Sequence, residues 1–547
     1  MKKKFKWILG LIITVVFITG FYPGRGDIYF EISKNLDLLG RVYKEISFNY
    51  VDEVDPEKFL RAGIQGMLSS LDPYTIFVDE KKIEDIDLIT NGKYGGVGIS
   101  IGIRGSDVTV VEVMDGYAAQ RQGIKIGDII IEADSTSISS ENIDEVSSLV
   151  KGEPGTTVEL KVVRNELRDT LIFNVVREEV IVKNVTYSGF YPENSNNVYL
   201  KLSNFSRSAS DEIKKTIKEL KEQKPIKSVV LDLRGNPGGL LDIAVDICDK
   251  FLARNELVVS TRGRDVNSEK KYFAQEEPIL SNDVKIIILI NGGSASASEI
   301  VAGALQDHDR AVILGTKSFG KGLVQTITPL SYNTSLKITT AKYYTPSGRC
   351  IQRIDYSEGS EVIKDPNPVS EQTFFTDNKR EVYSKGGITP DTTVEYNIDG
   401  EITKDLLAKG YFFKFADNYI YNHPETQYYN IDDDVLFSGF KEYLMNEEFQ
   451  YKSQAEVEID NLIKGAAEQN EIKNDLLNIK NELAGLFDKE LEIYKNEILR
   501  ETKSELAARY LGMEGRIQEQ LNYDKQVQAA LGIFSDNDIY NKLLNTN

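Results

Sequence analysis

Histidine and cysteine are both scarce in this chain of 547 residues, which contains two of each. Two cysteines exclude a disulfide scaffold and a zinc site built from thiolates. The two histidines, His308 and His423, leave little material for a histidine metal site or for a Ser–His–Asp triad. We therefore expect no metal centre, and any hydrolytic mechanism must use a base other than histidine.

Positive charge is also in short supply, because 65 Lys and Arg face 85 Asp and Glu, a formal net charge of −20. General nucleic-acid binders need a basic surface that displaces counterions from phosphates, so we expect no nucleic-acid partner. The chain is 41% hydrophobic, which is enough for real cores, and its length predicts three or four domains.

The first 26 residues are expected to lie outside the fold. Four of the first six residues are lysine, and an apolar run follows from Trp7 to Tyr22. A basic head before a short apolar run is typical of an export signal, with the lysines on the cytoplasmic side. The pattern therefore predicts export to the cell envelope, with the segment either cleaved or retained as a membrane anchor.

The hydrophobic pattern changes three more times along the chain. Residues 27–92 have helical spacing, whereas 93–180 contain short β-branched runs separated by glycines. Over 181–397, continuous apolar strands alternate with helices, which predicts an α/β layer with buried and largely parallel strands. Residues 398–547 return to helical spacing and either pack on the core or mediate assembly. We predict a multidomain protein of the α/β and α+β classes.

The segment 93–180 resembles a PDZ domain. It carries Gly-Gly-Val-Gly-Ile at 95–99 and Gly-Ile-Lys-Ile-Gly-Asp at 123–128. Consecutive glycines let backbone N–H groups converge on a carboxylate, and the next strand can pair with an extended peptide. An ordinary glycine hairpin is the alternative for the first motif. The residues expected to bind the peptide are Gly96, Val97, Gly98 and Ile99.

A candidate nucleophile lies in Asn-Gly-Gly-Ser-Ala-Ser-Ala-Ser-Glu-Ile at 291–300, between a buried strand and a helix. Ser296 would sit at the positive end of the helix dipole, where backbone N–H groups stabilise an oxyanion. The spacing Ser296-x-x-Glu299 is also a capping box, an ordinary way to begin a helix. From the local sequence alone, the cap is the more frequent explanation.

A nucleophilic serine needs a general base that accepts its hydroxyl proton. His308 lies twelve residues beyond Ser296, or ~18 Å along a helix, so it is too far away. Lys321 is flanked by glycines and enters an apolar strand, and Gln325 follows four residues later on the same side. Burial can leave such a lysine neutral. A surface lysine is the alternative explanation of Lys321.

The spacing Ser318-x-x-Lys321 also matches the S-x-x-K motif of penicillin-binding enzymes. This motif needs a helical turn, which the glycines of the segment disfavour.

A third glycine-rich segment, Asp-Leu-Arg-Gly-Asn-Pro-Gly-Gly at 232–239, ends a predicted strand. Sites in α/β proteins lie at such strand ends, and Gly238 and Gly239 can bring N–H donors close to a ligand. A phosphate loop would need the Walker spacing and a lysine, which this segment lacks.

These segments together resemble the carboxyl-terminal processing peptidases, also called tail-specific proteases, from about residue 30 to residue 391. The matching segments are YVD at 50–52, LDP at 71–73, the glycine loop at 95–99, DLRGNPGG at 232–239, NGGSASASEI at 291–300, SFGKGLVQ at 318–325, YYTPSGR at 343–349 and GGITPD at 386–391.

The resemblance implies a role for each candidate and replaces the simple cap as the explanation of Ser296. In such a peptidase Ser296 is the nucleophile, Lys321 the general base, and Gln325 the residue that positions the lysine. The oxyanion donors implied are the backbone N–H groups of Ala297 and of Gly238 or Gly239.

The sequence therefore predicts an exported serine endopeptidase that binds free C-termini of protein substrates at its PDZ domain and cleaves within the tail. No metal or organic cofactor is implied, and nothing indicates the oligomeric state. One alternative is an inactive PDZ-bearing scaffold protein of the envelope. Another is a Ser–Lys amidase or acyltransferase that acts on cell-wall peptides.

Overall fold

The computed structural model describes residues 26–79, 83–164, 170–265, 268–356, 371–384, 386–396, 398, 400–465, 470–484 and 487–546. The predicted export segment, apart from Gly26, lies outside these residues. Within the described residues, none of the helices has the length and apolar character needed to cross a membrane. The chain divides into two units, residues 1–77 and 78–547.

The first unit is helical, as predicted. It contains α1 (Gly26–Asn49) and α2 (Pro56–Leu68), and the short strand β1 (Ile76–Val78) lies at its end. The Asp55 carboxylate caps α2 by accepting the N–H groups of the second and third helical residues, and Pro56 occupies the first helical position. Tyr43 stacks on Phe59, with ring centroids 5.6 Å apart, and joins the two helices.

The second unit begins with α3 and the predicted PDZ domain. The short β-branched runs of this segment form an antiparallel sheet in the order β3-β4-β5-β7-β8, with β6 on β5 and β3 at the edge. β2 pairs with β9. The elements are α3 (Ile83–Asn91), β2 (Lys93–Gly96), β3 (Ile99–Arg104), β4 (Asp107–Val113), α4 (Ala118–Gln122), β5 (Ile129–Ala133), β6 (Thr136–Ser137), α5 (Ile143–Val150), β7 (Thr157–Val163), β8 (Thr170–Val176) and β9 (Glu178–Ile181).

The predicted α/β layer follows, with a central sheet in the order β10-β11-β12-β15-β16-β21. All of its pairs are parallel except β10 with β11. The elements of this region are β10 (Val185–Phe190), β11 (Asn197–Leu202), α6 (Ala209–Gln223), β12 (Ser228–Asp232), α7 (Leu241–Cys248), β13 (Leu257–Gly263), β14 (Lys270–Phe273), β15 (Lys285–Ile290), α8 (Ala297–Asp307), β16 (Val312–Gly315), β17 (Leu323–Pro329), β18 (Ser335–Tyr344), β19 (Thr373–Phe375), β20 (Glu381–Tyr383) and β21 (Thr392–Thr393).

A second sheet lies beside the central one. In it, β13 pairs with β14 and β18, and β18 pairs with β17, all antiparallel. β19 and β20 form a separate hairpin. The long strand β18 therefore links β17, which begins two residues after Lys321, to the body of the core.

The C-terminal region is helical, and its last helices pack on the core. Side chains of the central sheet alternate between two apolar clusters, so both faces are buried. Helices α6 to α8 cover one face, and the end of α15 with α16 and α17 covers the other. The helices are α9 (Glu401–Ala408), α10 (Tyr411–Asn422), α11 (Asp433–Asn446), α12 (Gln454–Gly465), α13 (Asn470–Ala484), α14 (Phe487–Ile493), α15 (Lys495–Leu521), α16 (Lys525–Ser535) and α17 (Asn537–Leu544).

Candidate active site

The glycine-rich segments meet at one edge of the central sheet. β12 and β15 are parallel neighbours, with Asp232 opposite Leu289, so the loops that follow them leave the sheet at the same edge. The first loop is 232–239, and the second is 291–296, which leads into α8. Phe319 donates its N–H to the Ser294 carbonyl oxygen at 3.0 Å, which brings the third segment, 318–322, onto the second.

Ser296 occupies a strained turn at the start of α8. Its φ is +56° and its ψ −113°, a conformation that a residue with a side chain rarely adopts and that costs ~1–3 kcal/mol. The side chain is partly exposed, whereas its neighbours Ala295 and Ala297 are buried. The turn therefore presents a hydroxyl to solvent beside the first N–H groups of a helix, which is how nucleophilic serines are commonly displayed.

The other two serines of the segment have structural partners. Ser294 is buried and donates its hydroxyl to the Leu233 carbonyl oxygen at 2.8 Å. Ser298 is also buried and donates to the Asn236 carbonyl oxygen at 2.9 Å. The two hydroxyls thus fasten the loop at 291–296 and the first turn of α8 to the loop at 232–239.

A buried carboxylate joins the segment of Ser296 to that of Lys321. One oxygen of Glu299 accepts the Ser318 hydroxyl at 2.6 Å and the Gly320 N–H at 2.7 Å. The other accepts the N–H groups of Ser296 and Lys321, each at 2.9 Å. Burial raises the pKa of Glu299 to about 7, although the four donors work to lower it. The sequence indicated Glu299 only as a helix cap, which is one of these four contacts.

Tyr343 forms a second link between the same two residues. Its hydroxyl lies 2.6 Å from the Lys321 carbonyl oxygen and 3.2 Å from the Ser296 carbonyl oxygen, and its side chain is buried. Tyr343 belongs to the YYTPSGR segment, and the sequence alone did not indicate a role for any residue of that segment. Glu299 and Tyr343 together hold the main chains of Ser296 and Lys321 from both their N–H and their carbonyl sides.

Of the two candidate glycines, Gly238 is the one that touches the serine. Its φ is +96°, and a Cβ there would lie 2.8 Å from the Ala297 nitrogen and 2.9 Å from the Ser296 Cβ, so no side chain fits. The Gly238 N–H donates to the Asn236 side chain at 2.9 Å. Gly239 packs instead on Phe205, whose carbonyl oxygen would lie 2.5 Å from an added Cβ. The structure therefore brings together Ser296, Ala297 and Gly238.

The glycines beside Lys321 allow neighbouring main chain to approach closely. A Cβ on Gly320 would lie 2.9 Å from the Gly386 carbonyl carbon, and one on Gly322 would lie 2.8 Å from the Gln352 nitrogen. The Gln325 amide donates to the Thr339 hydroxyl at 3.3 Å. The pairing of β17 with β18 shifts between Val324 and Gln325, where the extra residue, Thr340, lies on β18.

Charged residues at the far end of α8 anchor this helix. Arg349, fully buried, pairs with Asp307 at 2.8 Å, and Asp391 pairs with Arg380 at 2.6 Å while accepting the Ile313 N–H. His308 is the C-cap of α8, as far from Ser296 as expected. These contacts explain two motif residues, Arg349 and Asp391, without placing them at the reacting atoms.

Residues of the PDZ domain and of the loop 232–239 line one cavity of about 700 Å³. Val97 and Ile99 line it from the PDZ side, and Phe205 and Gly238 line it from the peptidase side. Strand β3 is an edge strand, so it has a free side for pairing with an extended peptide.

Replacement of Glu299 by glutamine should lower peptidase activity by at least about ten-fold. In either orientation the amide NH₂ would face two N–H or O–H donors, so two of the four bonds are lost and donors oppose one another. Turnover of an unstructured protein substrate measures the effect. Glu222→Gln, on the exposed surface of α6, is the matched control. Wild-type turnover in Glu299→Gln would contradict this role.

The raised pKa of Glu299 also predicts a pH-dependent stability. The folded chain keeps a proton on Glu299 up to about pH 7, whereas the group's ordinary pKa is 4.5. Between these values the unfolded state binds fewer protons, so this group's contribution to stability falls as pH rises. The thermal unfolding midpoint of wild type, relative to Glu299→Gln, should therefore decrease between about pH 5 and about pH 7.5. A constant difference would argue against a raised pKa.

Comparison with known proteins gives matches along most of the chain. The model described as peptidase family S41 matches residues 196–362, and a PDZ domain model matches 109–164. The activating protease CtpB N-terminal domain matches 26–82. The probable PDZ-protease C-terminal helical domain matches 402–534, the region that the recognised motifs did not reach.

The similar proteins carry consistent names. A carboxy-terminal-processing protease of Bartonella bacilliformis is 40% identical over 61% of this chain and 76% of its own length. The carboxy-terminal processing protease CtpB of Bacillus subtilis is 31% identical over 64% of this chain and 72% of its own. A probable CtpA-like serine protease of Staphylococcus epidermidis is 28% identical over 86% and 91%. The chain belongs to peptidase family S41, as a serine-type carboxy-terminal processing peptidase with a PDZ domain.

Proposed function

We propose that this peptidase cleaves proteins near their free C-termini with a Ser–Lys dyad. Ser296 is the nucleophile and Lys321 the general base. Gln325 helps to position the lysine, and the Ala297 N–H is the first donor to the oxyanion. The observation that carries the proposal is the double link through Glu299 and Tyr343, which holds the main chains of the two dyad residues together.

The choice of Ser296 rests on the different surroundings of the three serines. Ser294 and Ser298 are buried and bonded to loop carbonyl oxygens, so neither hydroxyl faces a substrate. Ser296 is partly exposed in a turn with positive φ. Strain of this kind persists only where the surrounding structure enforces it, and it is concentrated at functional sites.

The reaction follows from these positions. A neutral Lys321 takes the proton of the Ser296 hydroxyl as the oxygen attacks the substrate carbonyl carbon. The negative charge on the carbonyl oxygen is met by the Ala297 N–H at the start of α8, aided by the helix dipole. Lys321 then donates the proton to the leaving amine, and water hydrolyses the acyl-enzyme by the same route. No step requires a metal or an organic cofactor.

Substrate selection is proposed to begin in the PDZ domain. The backbone around Gly96, Val97, Gly98 and Ile99 receives the terminal carboxylate, and the substrate extends along the free edge of β3. The shared cavity supports this arrangement because Val97, Ile99 and Gly238 line the same space. The proposed substrates are therefore proteins with accessible, apolar C-terminal tails.

Export to the cell envelope completes the proposal. The lysine-rich head and the apolar run before residue 23 support export, with the segment either retained as an anchor or removed. Fractionation of cells that express the full chain, followed by N-terminal sequencing of the product, distinguishes these two fates.

Ser296→Ala should abolish proteolysis and leave the thermal unfolding midpoint close to that of wild type, because only the nucleophile is lost. Ser294→Ala and Ser298→Ala are matched controls and should retain measurable activity. Lys321→Arg should also be inactive, since a guanidinium stays protonated at working pH. Turnover of an unstructured protein reports all four variants. Wild-type activity in Ser296→Ala or in Lys321→Arg would refute the dyad.

Amidation of a substrate's C-terminus should slow its cleavage, because the PDZ backbone donors then lose a charged acceptor. Paired peptides that differ only in the terminal group, compared by kcat/KM, provide the measurement. Equal kcat/KM values for the two peptides would show that recognition does not involve the carboxylate.

A further inference from the structure

Arg234 lies in the loop 232–239, four residues before Gly238, and its side chain is almost enclosed. Its side chain is 15% exposed and forms a two-pronged pair with Asp232, at 2.9 Å through Nε and 2.5 Å through Nη2. Asp232 is fully buried and also accepts the Tyr199 hydroxyl. Burial works to raise the pKa of Asp232, but the Arg234 guanidinium holds it at about 2. Both groups are therefore charged at neutral pH.

The remaining donors of Arg234 point to the distant C-terminal helix α16. Nη2 lies 2.7 Å from the Asp524 carboxylate, and Nη1 donates to the Gln526 side-chain oxygen at 2.8 Å. Asp524 uses its other oxygen to cap α16, where it accepts the N–H groups of Gln526 and Val527. Gln526 is buried, and its NH₂ donates to the Val394 carbonyl oxygen. The helix thus supplies two of the three partners that orient this guanidinium.

The loop connects Arg234 to Ser296 within a few residues. Gly235 donates its N–H to the Asn291 side chain at 2.9 Å. The Asn236 carbonyl oxygen accepts the Ala295 N–H at 3.0 Å and the Ser298 hydroxyl at 2.9 Å. Gly238 then lies against Ser296. A movement of Arg234 would therefore be transmitted to both sides of the proposed oxyanion site.

We infer that Asp524 and Gln526 are positioning residues for peptide-bond hydrolysis, acting through Arg234 on the loop of Gly238. The inference rests on the proposed function, because it assigns the effect to the pocket of Ser296 and Ala297. The C-terminal helical region then contributes to the rate of peptide-bond hydrolysis as well as to covering the central sheet. Removal of Asp524 or Gln526 leaves part of the buried guanidinium without its acceptor. A buried donor without an acceptor is costly, so the loop should lose its defined position.

Asp524→Asn separates this role from helix capping, because asparagine caps helices about as well as aspartate. The variant keeps the cap and loses the negative charge beside Arg234. We expect kcat to fall roughly ten-fold or more and KM for a tail peptide to stay within about two-fold, since the PDZ groove is untouched. The rate at which a fluorophosphonate labels Ser296 should fall by a similar factor.

Asp536→Asn is the matched control. Asp536 caps α17 through the same pattern, accepting the N–H groups of Asp538 and Ile539, but it is exposed and lies outside the contacts of Arg234 given above. Its kcat and labelling rate should equal those of wild type. Both variants should remain folded at the assay temperature, as measured by their thermal unfolding midpoints. An equal kcat in both variants would overturn the inference.

Gln526→Met provides an independent test, because it removes the acceptor while keeping the length of the side chain. Its kcat should also fall, and the combined effect with Asp524→Asn should be less than the product of the two, since both act through one guanidinium. If the double variant lowers kcat by the product of the two single effects, the two residues act independently, and the shared route through Arg234 is overturned. An inactive wild-type enzyme would instead refute the proposed function, so the two failures are distinguishable.

Discussion

The arrangement of the active site depends on the burial of one carboxylate. Glu299 is enclosed by protein, and a charge in such a place is costly unless donors surround it. The four donors that meet it come from Ser296 and from the segment 318–321, so the group cannot be satisfied unless both segments are in place. The need of Glu299 for hydrogen-bond donors therefore fixes the position of the segment 318–321 relative to Ser296.

Close backbone packing accompanies this constraint. Gly238 lies against Ser296, and Gly320 and Gly322 lie against neighbouring main chain, at distances that leave no room for a Cβ. The strained φ of Ser296 is maintained in the same environment. At its other end, α8 is fixed by the buried Arg349–Asp307 pair. Helix α8 is therefore fixed at both ends, at Ser296 and at Asp307. Backbone strain such as that at Ser296 persists only where the surrounding structure enforces it.

The helical C-terminal region completes the peptidase core. A parallel sheet must be covered on both faces, and the end of α15 with α16 and α17 covers the face that α6 to α8 leave open. The same region reaches the cavity shared by the PDZ groove and the loop of Gly238 through Met513 and Glu514. The cavity, the central sheet and the loop 232–239 thus all contact the C-terminal helical region.

The sequence by itself determined the fold class, the order of the domains, the strands of the PDZ domain and the core, and the loops in which Ser296, Lys321 and Gly238 lie. Each of these features depends on local periodicity, on turn residues or on long motifs that can be recognised in a single sequence. Only the tertiary structure decided that Glu299 joins two loops, that the pairing of β17 with β18 shifts before Gln325, and that Arg234 contacts Asp524. The contacts of Glu299 with the segment 318–321 and of Arg234 with Asp524 join residues 19 to 290 positions apart in the chain, and no local pattern encodes which donors a buried charge will meet.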